Sequence, residues 1–302
     1  MNFSCIARSF IRNYMFGRTR LGRSTCKKLL LPLLPQWQQV ELEAGLSMYL
    51  DLSKTNHQFL FWFYEEHESS LQWAIKTLFP SKGIFIDCGA NLGLMGLLAI
   101  YYRQARVVFI EPHPRLAGII QKNLELNQFA SEAKVCEVAA SKEDGHAFLS
   151  IDSISDGGHS LAVPYQANGS SLSMDVKTQR LETLLRELSM DHVHFLKIDA
   201  EGYDFHVLDG LGHFLLPQNI DLIYIEMGGD YSAIWNLLLG RGYRPFAAET
   251  IYIDRLRQLQ RKGDSSQFFF PIEKEGDGNL LWCGRGSTYE RFLLEACRSK
   301  KN

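Results

Sequence analysis

The sequence predicts an α/β protein built on a mostly parallel sheet with helices on both faces. Three observations carry that expectation. Five short apolar runs, at 83–87, 106–111, 134–139, 193–199 and 222–226, read as strands buried on both faces. Helical patterns separate or follow them at 92–103, 115–127, 181–189, 203–210 and 231–239. Four of the five runs end in or beside a carboxylate: Asp87, Glu111, Asp199 and Glu226. Ligands of open α/β sheets bind at the carboxyl ends of the strands, so these acids mark a candidate site.

Length and composition set the frame. A chain of 302 residues suffices for one large domain plus an extension, or for two small domains. The expected division is a basic extension over 1–40, a cap or lead-in over 41–80, and the main domain over 81–302. With 46% hydrophobic and 22% charged residues, the composition is that of a soluble globular protein. A net charge of -2 argues against a dedicated nucleic-acid binder. No apolar stretch approaches the ~18 residues of a spanning helix. Pro32 and Pro35 interrupt the Leu-rich stretch after Lys28. The cysteines are scattered, without C-x-x-C spacing, and Cys88 and Cys136 fall in or beside strands. Buried thiols fit a reducing compartment, so a cytoplasmic location is expected.

Residues 1–40 carry seven Arg and Lys residues and no acid. Phe3, Ile6, Phe10 and Tyr14 recur at helical spacing. Three readings stay open: a solvated helix resting on the domain, peripheral contact of residues 1–28 with an anionic membrane, and a transit peptide. Beyond them come short apolar runs over 40–64, a helix over 66–79 ending at Pro80, and a turn at Ser81-Lys82-Gly83. Residues 145–178, rich in Gly, Ser and Asp, break the strand-helix rhythm. They are expected to form a hairpin, extra edge strands or a loop near the site.

The chemistry begins after the first strand. In Asp87-Cys88-Gly89-Ala90-Asn91-Leu92-Gly93, two glycines bracket an asparagine. Glycine permits positive φ and close backbone approach. The spacing G-x-N-x-G fails the dinucleotide fingerprint G-x-G-x-x-G, and no G-x-x-x-x-G-K-[ST] loop exists, so no pyrophosphate is required. Glu111 ends the next strand, 18 residues after Gly93, where an acid can accept ribose hydroxyls. Together these features fit a nucleoside without a pyrophosphate, such as S-adenosylmethionine, with Asp87 toward its ammonium group.

The chain resembles the FkbM family of S-adenosylmethionine-dependent methyltransferases. The resemblance rests on Ile86 to Gly93, on Glu111-Pro112-His113-Pro114 with Asn123 and Asn127, and on Val138-Ala139-Ala140-Ser141. It continues in Leu181 to Leu185, in Leu196-Lys197-Ile198-Asp199-Ala200-Glu201-Gly202-Tyr203-Asp204, and in Val207 to Gly210. It implies a class I, Rossmann-like methyltransferase fold with a mostly parallel seven-stranded sheet. It also implies O-methylation of a sugar, glycan, glycolipid or related natural product, with S-adenosyl-L-methionine as cofactor. The cofactor residues would be Asp87, Gly89, Ala90, Asn91, Gly93, Glu111, Pro112, Ala139 and Ser141. Two positions depart from the family pattern: Cys88 replaces a β-branched residue, and Asp204 stands where glutamate is common.

A hydroxyl acceptor needs a base. Asp199, Lys197 and Glu226 form the catalytic set, with His113 and His159 as loop candidates for the base. Lys197, Asp199 and Glu201 alternate, so they should share one face, as reacting groups or as a buried ion-paired cluster. Other O-methyltransferases use carboxylates to hold a divalent cation against the acceptor oxygen, and Asp199, Glu226 and nearby oxygens could do so, but no ligand spacing demands a metal. His192 and His194 read as a core or surface pair. Two other functions were weighed. A nucleotide-dependent oxidoreductase is disfavoured by the failed fingerprint. A catalytically inactive module binding membrane or a partner is disfavoured by the intact Asp87, Gly89, Gly93 and Glu111.

Overall fold

The computed structural model describes residues 29–162, 172–227, 231–248, 269–272 and 278–298. The expected amphipathic helix in residues 1–28, the stretch 163–171, Tyr252 and Phe268 lie outside the described residues.

A hairpin of β1 (Trp37–Glu43) and β2 (Leu46–Asp51) opens the described chain. Helices α1 (Thr55–Phe63) and α2 (Ser69–Thr77) follow. The helix expected over 66–79 starts late, because Glu68 takes left-handed φ of 43° just before α2. Then come β3 (Ile84–Cys88), α3 (Leu94–Arg103), β4 (Arg106–Ile110), α4 (Pro114–Leu126) and β5 (Ala133–Cys136). The apolar run over 134–139 splits in two. Its end joins β6 (Ala139–Ser141), which leaves the main sheet and pairs with β8 (Ser173–Arg180). β7 (Gly145–Ser150) pairs antiparallel with β8. The Gly- and Ser-rich segment therefore does carry a hairpin, but as part of a separate three-stranded sheet. The remainder is α5 (Leu181–Glu187), β9 (Val193–Ile198), α6 (Asp204–Asp209), β10 (Ile220–Met227), α7 (Tyr231–Gly240), β11 (Tyr243–Ala248), β12 (Phe269–Pro271), β13 (Gly278–Gly284) and α8 (Thr288–Arg298).

The main sheet has the order β12-β11-β13-β10-β9-β3-β4-β5. The five strands from β10 to β5 are parallel, and β13 lies antiparallel between β10 and β11. It holds eight strands where seven were expected. The eighth is the three-residue β12, which adds to the β11 edge.

Residue alternation on the central strands builds a core on each face. Phe85, Phe109, Phe195 and Tyr224 point to one side, where α2, α3, α4 and the β1–β2 hairpin cover them. Ile86, Val108, Leu196 and Ile223 point to the other, under α5, α6 and α7. Residues 34–79 thus share one apolar core with one face of the sheet, from β4 across to β12. Two asparagines of the resembling motif lock the hairpin in place. Asn123 accepts the Tyr49 N–H at 2.7 Å, and Asn127 accepts the Ser47 N–H at 2.8 Å. Among the described residues, no helix is long and apolar enough to cross a membrane.

Candidate active site

From β3 the chain builds outward through β4 to β5, then crosses to β9 and β10 on the other side of β3. The order of the sheet therefore switches between β3 and β9, and a crevice opens at their carboxyl ends. The turn after β3 lies in this crevice. Gly89, Asn91 and Gly93 all have positive φ, at 72°, 53° and 79°. The Gly89 and Ala90 N–H groups donate to the Ile110 carbonyl at 3.0 and 3.1 Å, and Asp199 N–H donates to the Cys88 carbonyl at 3.1 Å. Any Cβ at Gly89 would collide with the Asp199 carbonyl oxygen. Only glycine satisfies both the dihedral and the space.

Glu111 follows β4 and turns back toward that loop. Its carboxylate accepts the Asn91 N–H at 2.8 Å and the His113 N–H at 2.9 Å. Burial pushes Glu111 up to about 7, against the pull of those two donors. A cavity partly open to solvent lies here, with Gly89, Asn91, Glu111, Pro112, Ala139 and Asp199 on its wall. Two residues of the expected cofactor set lie off both cavity walls. Gly93 is at the start of α3, where a side chain would press on Ile120 and Phe109. Ser141 is buried, and its hydroxyl pairs at 3.3 Å with that of Tyr203, which is on the wall.

The segment after β7 closes over this cavity and contributes Gly157, His159 and Leu161. Asp156 anchors it. This carboxylate is buried, pairs with Arg115, and lies 3.5 Å from both Lys54 and His57. Its backbone carbonyl accepts from the Asn91 side chain, which in turn accepts from Asn56 at 3.2 Å. The two loop histidines are removed as bases by the same packing. His113 Nδ1 accepts the Arg115 N–H, and His159 Nδ1 accepts the Asp152 N–H. A neutral ring with Nδ1 so engaged carries its proton on Nε2 and has no free lone pair. Burial, then the neighbouring His113, holds His159 down at about 4.

A second cavity, also partly open to solvent, adjoins the first and shares Asn91, Gly157, Asp199 and Glu201 with it. Asp87, Ala90, Lys197 and Glu226 line it, so the expected catalytic set does converge. Lys197 Nζ donates to the Gly89 carbonyl at 3.0 Å and to Asp199 Oδ2 at 3.1 Å, and lies 3.7 Å from Asp87 Oδ1. Burial opposes its charge, but Asp199, Glu68 and Asp87 outweigh it and hold Lys197 above the usual lysine range. Burial also raises Asp87, whose Oδ2 accepts the Gly96 N–H at 3.0 Å while Oδ1 has no hydrogen-bond partner. Burial pushes Glu201 up to about 8, and burial and Asp199 together raise Glu226.

Sequence reasoning missed Glu68, which reaches this cavity from the lead-in segment together with Asn56, Leu60 and His67. No periodicity marks Glu68. At the far end of the sheet, His192, His194 and Asp221 also approach one another. His194 Nδ1 accepts the Ile84 N–H, so its neutral ring offers no lone pair to an ion.

Comparison with known proteins finds similar chains. Methyltransferase sdnD of Sordaria araneosa is 28% identical over 232 residues, spanning 67% of this chain and 88% of that one. Methyltransferase 1 of Beauveria bassiana (strain ARSEF 2860) is 25% identical over 184 residues, spanning 55% of this chain and 74% of that one. A solved SAM-dependent methyltransferase from Agrobacterium tumefaciens superposes with a TM-score of 0.42 at 10% identity, covering 84% of this chain and 71% of its own. The Methyltransferase FkbM domain matches residues 87–245, from the end of β3 into β11 and just over half of the sequence. The chain therefore belongs to the FkbM family of S-adenosylmethionine-dependent methyltransferases.

Proposed function

We propose that this methyltransferase acts on oxygen, methylating a hydroxyl of a sugar, glycan, glycolipid or related natural product. One observation carries the reading: the cavity beside Glu111 continues into a second, carboxylate-lined cavity, and Asp199 borders both. Donor and acceptor can thus meet across a single acid.

The residues fit the donor. Glu111 keeps lone pairs beyond its two N–H bonds and can take ribose hydroxyls. Asp87 Oδ1 lacks a hydrogen-bond partner and can face an ammonium group. Pro112 and Ala139 supply apolar wall for a base. S-adenosylmethionine, when bound, supplies a methyl group already activated by its positive sulfur. What remains for the chain is alignment and proton removal. In this reading the Asp199 carboxylate accepts the acceptor's hydroxyl hydrogen bond and then its proton. Lys197 is a positioning residue, which ties the Gly89 turn to Asp199. The proposal includes a cytoplasmic location, supported by the buried free thiols of Cys88, Cys136 and Cys283.

The test pairs Asp199→Asn with labelled methyl donor and a panel of glycosides, polyols and amines. The variant should lose turnover and still bind S-adenosylhomocysteine. Full turnover in the variant, or transfer to amines with none to hydroxyls, would refute the proposal.

A further inference from the structure

The second cavity gathers more carboxyl groups than methyl transfer itself calls for. Among the described residues, five line it (Glu68, Asp87, Asp199, Glu201 and Glu226), with the Lys197 ammonium among them. Lys197 is engaged by Gly89, Asp199 and Asp87. Glu68 helps to hold the Lys197 charge but forms no ion pair with it at contact distance. It sits on the turn before α2, outside the family match, and is 9% exposed. Its Oε1 is buried without a hydrogen-bond partner, although the side chain lines the cavity. An ionised carboxylate has no donor of its own, so a buried oxygen in that state needs a cation or a proton from elsewhere.

Three of these acids converge. Glu68 before α2, Asp199 after β9 and Glu226 on β10 each place an oxygen within 4.8 Å of the other two. On one octahedral magnesium, at Mg–O distances of about 2.1 Å, opposed oxygens lie ~4.2 Å apart and adjacent ones ~3.0 Å. With all three pairs inside 4.8 Å, closing onto one ion asks for side-chain shifts of at most about 2 Å per pair.

We propose that Glu68, Asp199 and Glu226 form a binding site for one divalent cation of the magnesium or manganese class. Carboxylate oxygens are the ligands such hard ions prefer, and three of them leave positions open to water. A further consequence rests on the O-methylation reading, unlike the site itself: the open positions face the acceptor, and the ion would draw its oxygen toward Asp199 and ease loss of its proton.

The test uses the full chain saturated with S-adenosylhomocysteine and titrated with Mn²⁺, free ion being read by electron paramagnetic resonance. The expected result is one Mn²⁺ per chain, displaced by excess Mg²⁺. Glu68→Gln and Glu226→Gln, on separate elements, should each weaken Mn²⁺ by about tenfold or more. Their affinity for S-adenosylhomocysteine should stay within about threefold of the parent, a difference under 1 kcal/mol. No Mn²⁺ binding by the parent chain overturns the site, as does undiminished binding in both variants. Binding of S-adenosylhomocysteine by the parent, measured in the same series, separately tests the methyltransferase reading.

Discussion

Glu111→Gln isolates the acid expected to hold the donor's ribose. The side chain is 4% exposed, and burial lifts its pKa from 4.5 to about 7. A rise of that size corresponds to about 3 kcal/mol. The folded chain binds this proton more tightly than the unfolded chain. Its contribution to stability is therefore whole below about 4.5 and is lost as pH rises through about 7. Donor binding has the opposite sign. Ribose hydroxyls donate to the ionised carboxylate, so S-adenosylhomocysteine should bind more tightly as pH rises toward 8, and weaken by up to about tenfold per unit below 7. Gln removes the charge and presents an amide N–H to one of the two backbone donors at Asn91 and His113. Losing one charge-assisted bond costs about 1.5–3 kcal/mol, so affinity at pH 8 should fall about 10- to 100-fold. The pH dependence should flatten with it. Calorimetric titration from pH 6 to 9 reads both effects. A variant binding within about threefold of the parent at pH 8, a difference under 1 kcal/mol, would refute the role given to Glu111.

Three further substitutions probe the scaffold. Gly89→Ala combines a disfavoured φ with a collision against the Asp199 carbonyl, and should cost at least about 2 kcal/mol and abolish S-adenosylhomocysteine binding; parental binding would show the turn to be more tolerant than its geometry. Lys197→Met strands Asp87 and Asp199 without their cation and should cost about 3–5 kcal/mol in urea unfolding, with a loss below about 1 kcal/mol counting against a structural ion pair. Asn123→Ala leaves the Tyr49 N–H without its acceptor, for about 1–3 kcal/mol, and should speed hydrogen exchange at Tyr49; unchanged exchange would mean that the hairpin is held by its apolar face alone.

The strands and the glycine turn after β3 were legible because their signals are local. An apolar run of five residues buried on both faces looks the same in sequence as in the sheet, and β3, β4, β9 and β10 fall where those runs stand. Gly89 and Glu111 were legible for a related reason: a tight turn and an acid at a strand end are each set by a few neighbouring residues. Other features had no such mark. The run over 134–139 gave no sign of its break, since Cys136 and Ala139 are both buried, in different sheets. The bases offered at His113 and His159 looked free, because the backbone donors that occupy them are visible only in the fold.

The sequence by itself determined the parallel sheet, the glycine turn after β3 and the family, all carried by short-range pattern. The tertiary structure alone decided what surrounds Asp199. It brought Glu68 across from the lead-in, set Asp156 among Lys54, His57 and Arg115, and gave Asn123 the task of holding a hairpin. These contacts join elements dozens of residues apart. Their geometry follows from how α1, α2 and the post-β7 segment pack onto the carboxyl end of the sheet, and no periodicity along the chain encodes that packing.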